Sequence, residues 1–215
     1  MTEANNNRMV LLLIAGIPLT MILASTWLWY FVARGDLDLV GALGTANHGV
    51  LLSPPRQIDD VPLFSGSSKA KYANLEPKWT FVVPWWGADC DATCETTLYT
   101  TRQIHVAIGK DFNRIRRLYI SETPAAETVL TAPPVEDSRP ASQSFIQYLE
   151  TAHRGLKTYE VEEESFPLLF QEWRDDPSTW YVIDPRGWIM MSYNKDIPYK
   201  DVIADLKFLL KNSSG

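Results

Sequence analysis

The chain has 215 residues, of which 46% are hydrophobic and 21% charged, with a net charge of −6 and a pI near 5.1. That length holds one domain plus an anchor rather than two full domains, and the acidic balance excludes a nucleic-acid footprint, which needs a basic face. Two cysteines are too few for a disulfide scaffold or for an all-cysteine zinc site.

Met9 to Ala33 carries no charged residue. As a helix it spans roughly 37 Å, enough to cross a hydrocarbon core of about 30 Å with some tilt. A signal-peptide core would be shorter, about 7–15 residues, and would end in a small-residue cleavage site. Pro18 is tolerable in a membrane helix, and Trp27, Trp29 and Tyr30 suit an aromatic belt. The expectation is a retained single-pass anchor over 9–33 behind a cytoplasmic tail, 1–8. Arg8 and Arg34 balance across the span, so charge does not orient it; the short N-terminal tail favours a C-terminal domain outside the cytoplasm.

Residues 34–76 read as a linker, with Gly41, Gly44, Gly49, Pro54-Pro55, Pro62 and Ser65-Gly66-Ser67-Ser68 and little periodicity, in which short strand-like pieces such as Val50-Leu51-Leu52 can pack on the domain. The domain is expected over 77–215. Lys78 to Val83 is a short apolar run suited to a buried strand. Trp85 to Asp89 bridges to Cys90-Asp91-Ala92-Thr93-Cys94, and a helix follows to about Phe112. Ile115 to Ile120 is the next strand, Ser121 to Arg139 a loop, and Ser142 to His153 a second helix. Tyr159 to Val161 and a short helix near Leu168 to Trp173 lead to Trp180 to Ile183, a central strand. Pro185-Arg186-Gly187 turns the chain into a hairpin over Trp188 to Tyr193, and a last helix runs from about Pro198 to Leu210. This order is that of a mixed-sheet α/β domain flanked by helices.

The chemistry rests on Cys90 and Cys94. A cysteine at the head of a helix gains from unsatisfied N–H groups and the positive dipole end. Four residues apart on one turn, the two Cα atoms lie about 6 Å apart, within reach of a disulfide; the same spacing lets both sulfurs grip one soft cation such as Cu(I). A purely structural bridge usually closes a longer loop. Redox cycling and metal binding both stand open. Asp89 and Asp91 flank the first thiol and oppose thiolate formation.

These pieces together resemble the Sco/SenC family, thioredoxin-fold copper proteins that help assemble the copper site of cytochrome c oxidase. The resemblance covers roughly Pro77 to Lys211. It is carried by Lys78-Trp79-Thr80-Phe81-Val82, by Cys90-x-x-x-Cys94 before Thr96-Thr97-Leu98, and by Trp180 to Gly187. It implies a thioredoxin-like fold, an N-terminal anchor in the cytoplasmic (inner) membrane, and a domain on its periplasmic face. The implied partners are the oxidase copper-site subunit or another assembly factor. The sequence departs from the family in having Asp91 and Glu95 where prolines usually follow the cysteines. The family's ligand histidine aligns with Asp176, followed by Pro177. Neither suits Cu(I), which prefers thiolate, thioether and imidazole, so the copper site reads as incomplete. Pro177 also stands where thioredoxin-like reductases place a cis-proline facing the thiols.

Three functions follow as expectations. The first is thiol–disulfide exchange, with Cys90 the attacking and more exposed sulfur and Cys94 resolving. The second is Cu(I) delivery through two thiolates and a ligand borrowed from the partner. The third is a non-catalytic interaction module of the respiratory membrane.

Overall fold

A computed structural model describes residues 3–33, 47–132 and 144–213. The chain divides into two compact units, Met1–Ala46 and Asn47–Gly215. In the first, helix α1 runs over Glu3–Ala33. Its Leu12–Phe31 stretch, with mean hydropathy 1.8, is the one helix among the described residues long and apolar enough to cross a membrane. Ser25 and Thr26 return their hydroxyls to carbonyls one turn back, as polar residues in an apolar helix must. The first part of the expected linker, 34–46, lies outside the described residues.

The second unit is built on an eight-stranded mixed sheet of order β1-β10-β9-β4-β6-β8-β2-β3. Its centre is β4 (Trp79–Trp85), parallel to β6 (Ile115–Ser121), which is parallel to β8 (Leu156–Glu160). On the other side β9 (Trp180–Ile183) runs antiparallel to β4, and β10 (Trp188–Tyr193) antiparallel to β9. The hairpin between them turns at Gly187, whose φ of +81° is a backbone setting that favours glycine.

Because side chains alternate along a strand, the central strands feed two cores. Phe81, Val83, Trp180 and Val182 point to one face, and Val82, Tyr181 and Ile183 to the other. The first face is covered by helices α2 (Ala92–Ala107) and α3 (Phe145–Ala152), which supply Leu98, Ile104, Phe145 and Leu149. The second face is covered by β2 (Pro62–Ser65) and helix α4 (Phe166–Leu169), with Leu63, Phe166 and Leu169. Helix α5 (Tyr199–Asn212) packs Val202, Leu206 and Leu210 on the first face.

The expected linker is corrected by this sheet. Residues 50–71 are not tether: β1 (Val50–Gln57) pairs with β10, and β2 and β3 (Ser68–Lys71) form a hairpin on β8. The residues that suggested a tether have local structural roles instead. Pro54 and Pro55 have no N–H to give, and β1 takes them on the sheet's edge across an irregular register between Leu51 and Arg56. Gly66, with φ of +58°, opens the two-residue turn between Ser65 and Ser68.

Candidate functional site

Cys90 and Cys94 are joined as a disulfide, with Cα atoms 5.2 Å apart. Cys90 belongs to β5 (Asp89–Cys90), which pairs in parallel with β7 (Val129–Leu130). Trp85 at the end of β4 donates its indole N–H to the Asp89 carbonyl at 2.7 Å and fixes the approach. Thr131 donates from its N–H (3.0 Å) and from its hydroxyl (3.3 Å) to the Cys90 carbonyl. Helix α2 then starts behind Asp91, whose carboxylate accepts from the N–H groups of Thr93 (2.9 Å) and Cys94 (3.0 Å). Asp91 is thus an N-cap. It takes up two of the donors that would otherwise face a thiolate, and adds a negative charge beside the pair.

Both sulfur-bearing residues are 0% exposed. The expectation that Cys90 is the more exposed sulfur is therefore not met: Cys90 precedes the helix in β5, paired with β7, and Cys94 lies inside the first turn of α2. Both belong to the main core; what differs is the element that carries each. Cys90 is carried by one of a pair of two-residue strands, held mainly by Val129 N–H to Ala88 (2.6 Å) and the Thr131 bonds. Cys94 is carried by the first turn of a sixteen-residue helix.

The two supporting residues have other roles. Asp176 accepts from the N–H (2.9 Å) and hydroxyl (2.7 Å) of Ser178 and from the Asn194 amide (3.1 Å). Burial pushes its carboxyl up, but these hydrogen bonds and Lys195 hold it below the usual carboxylate range. It ties the approach to β9 onto the end of β10. Pro177 follows a trans peptide; the cis X–Pro bond among the described residues is Ser53–Pro54. The expected cis-proline is thus absent at this position, and the segment is set by the Asp176 turn.

A three-ligand copper site does not fit the donors here. The chain has three histidines, and each is engaged. His48 pairs through Nδ1 with Asp205 at 3.0 Å. His105 stacks on Phe112 with ring centroids 3.9 Å apart, and its Nε2 lies 2.9 Å from the Phe112 carbonyl. His153 is buried between Arg117 (3.2 Å) and the Tyr148 hydroxyl (2.8 Å). Among the described residues no three histidine, cysteine, aspartate or glutamate side chains converge as a metal set.

A family model described as the transmembrane-like, thioredoxin-like, C-terminal domain matches residues 79–213. The chain belongs to this family. Its fold is also that of solved Sco structures. Apo Sco1 from Thermus thermophilus is 18% identical, with 76% of this chain and 97% of that one covered, at a TM-score of 0.52. Yeast Sco1 with copper bound is 14% identical, over 80% and 97% of the two chains, at 0.53. Arabidopsis thaliana ScoI with copper bound is 14% identical, over 71% and 97%, at 0.50. At these identities the likeness is one of fold: a thioredoxin-like mixed sheet flanked by helices. No curated protein matches the sequence.

Within this family fold, sequence reasoning missed two residues near the thiols. Trp85 read as part of a turn, yet it ends β4 and holds β5. Trp173 packs edge-on against it with centroids 5.4 Å apart. The signal was the apolar run from Phe81 through Trp86, which continues three residues past Val83, the end of the strand expected there.

Proposed function

We propose that this chain is a membrane-anchored, Sco-like accessory protein for cytochrome c oxidase assembly, acting by thiol–disulfide exchange through Cys90 and Cys94. The observation that carries the reading is the disulfide closed across only four positions at the β5–α2 junction. A bridge over so short a loop constrains the unfolded chain little, so stability is a weak reason for it and reactivity a strong one. The anchor is α1, and an outward-facing domain would lie where disulfides persist.

In the reduced protein the Cys90 thiolate attacks one sulfur of a partner disulfide and the partner's other sulfur leaves as a thiolate. The Cys94 thiolate then attacks Cys90 in the mixed disulfide, closing the Cys90–Cys94 bond and releasing the second partner thiolate. The partner gains two electrons, this chain loses two, and protons lost by the two cysteines match those taken up by the partner. The opposite direction oxidises a partner dithiol. Cys90 is assigned the attack because parting β5 from β7 frees the short strand that carries it while α2, which carries Cys94, stays in place; local openings of this kind need far less than global unfolding. Copper is bound in the yeast and Arabidopsis structures. Here the third soft ligand has no counterpart, and no step is routed through the metal.

Trapping tests the reading. In membranes, Cys94→Ala should accumulate a mixed disulfide with the natural partner on a non-reducing gel, because no second thiol remains to resolve it. Cys90→Ala should accumulate little. No adduct from either variant would instead favour the interaction module.

A further inference from the structure

The chain is acidic overall, yet one face of the domain carries the opposite sign. Along α5, Lys200, Lys207 and Lys211 recur at intervals of seven and four, so at about 100° per residue they fall within about 40° of one another around the helix. All three are exposed, and Phe208, 62% exposed, lies about 60–100° further around the helix. Lys207 and Lys211 line a cavity of about 580 Å³ together with Lys110 and Arg114.

Arg114 is committed: it donates to the carbonyls of Leu210 (2.7 Å) and Ser213 (2.8 Å) and pairs with Asp111 at 3.2 Å, the one acid lining the cavity. It latches the end of α5 to the turn at Gly109–Arg114. Among the described residues, Lys110, Lys200, Lys207 and Lys211 have no ion-pair partner. The acidic side of the same helix is occupied: Asp205 accepts from the N–H groups of His48 (2.8 Å) and Gly49 (2.9 Å), and Asp201 lies 4.0 Å from the His48 ring.

We propose that this face of α5, with Lys110, docks on an anionic phospholipid surface. Exposed lysines without ion-pair partners, aligned in one stripe along a surface helix, are the chemistry that anionic headgroups attract. The chain also brings its own membrane. Residues 34–46 lie between α1 and the domain in sequence. The first residues of the domain, His48 and Gly49, are fastened to α5 itself, so the tether joins the domain at the helix that bears the patch. The proposal rests on reading α1 as a membrane span and is independent of the thiol chemistry.

The test is amine acetylation of the full chain in nanodiscs, read lysine by lysine by mass spectrometry. Neutral phosphatidylcholine is compared with a mixture containing phosphatidylglycerol. Labelling of Lys110, Lys207 and Lys211 should slow by at least about threefold in anionic discs and recover at high salt. Lys69 and Lys71 on β3, the opposite edge strand from β1, should not change. Lys207→Glu should abolish the protection at Lys110 and Lys211. Equal rates in both lipids, or equal slowing at Lys69 and Lys71, would overturn the proposal. Equal protection by inorganic phosphate in neutral discs would overturn it in favour of a soluble anion. A chain recovered outside the discs would overturn it together with the span reading, leaving the thiol reading untouched.

Discussion

Reduction of Cys90–Cys94 should leave the domain folded, and the loss can be estimated from the loop it closes. With partners four positions apart, the closed loop holds about five residues, and the chain-entropy relation gives about 7 cal/mol/K, or about 2 kcal/mol at 25 °C. A bridge closing about 100 residues would give about 4.7 kcal/mol on the same relation. Against a typical domain stability of about 5–15 kcal/mol, 2 kcal/mol is affordable, and the freed thiols remain small apolar groups in the main core. For a unit of this size the melting temperature should drop by about 4–8 °C. Thermal melts of the full chain in detergent, followed by near-UV circular dichroism of the domain's tryptophans, measure this with and without a phosphine reductant. A Cys90→Ser/Cys94→Ser variant should match the reduced protein. Loss of the native near-UV signal on reduction at 25 °C would show that the bond is a structural staple, and the argument from short loop to reactivity would fail.

Two further outcomes follow from charges beside the sheet and the thiols. Burial, with Arg117 and Arg102 nearby, lowers the His153 pKa to about 3 from an ordinary 6.5. A depressed histidine contributes its full stability above pH 6.5 and loses it as pH falls toward 3; between pH 6.5 and 5 that is about 2 kcal/mol. Urea titrations should show a smaller loss over this window in His153→Gln than in the parent chain, and equal losses would refute the assignment. Asp91→Asn keeps the N-cap but removes the charge next to the thiols. The reduced variant should alkylate several-fold faster at pH 7 with iodoacetamide, at unchanged stability; an unchanged rate would mean that the Asp91 carboxylate does not restrain the pair.

The sheet's centre was legible because its strands are apolar runs bounded by turn residues: Trp180–Ile183 and Trp188–Tyr193 fall on the expected positions. The second helix, too, begins close to its capping serine, Ser144. Of the edge strands only the strand-like start of β1, Val50-Leu51-Leu52, was legible. Polar, proline-bearing segments such as 50–57 and 62–71 gain their structure from hydrogen bonds to distant strands, and such pairing leaves little trace in local periodicity. At the site, spacing correctly brought the two cysteines together, since four residues at a helix start can hardly do otherwise. Their burial was not legible, because the strand that carries Cys90 is held by Val129 to Thr131, some forty residues on. The trans peptide before Pro177 and the turn held by Asp176 likewise depend on Ser178 and Asn194, partners that a gapless alignment does not weigh.

The pairing of β1 with β10 changes what the tether is attached to. A pull transmitted from α1 arrives at His48 and Gly49, where two N–H bonds to Asp205 meet it, and passes next along the outermost strand of the sheet. Cutting the chain just before Trp79, where the family model's match begins, would therefore strip strands from the sheet rather than trim a leash. The β10 and β8 edges would lie open, and the second core would lose Ile58, Leu63 and Tyr72. Open edges of that kind invite strand-to-strand association between copies. A protease acting before residue 47 would release an intact domain, and one acting after β1 would release an aggregating remnant.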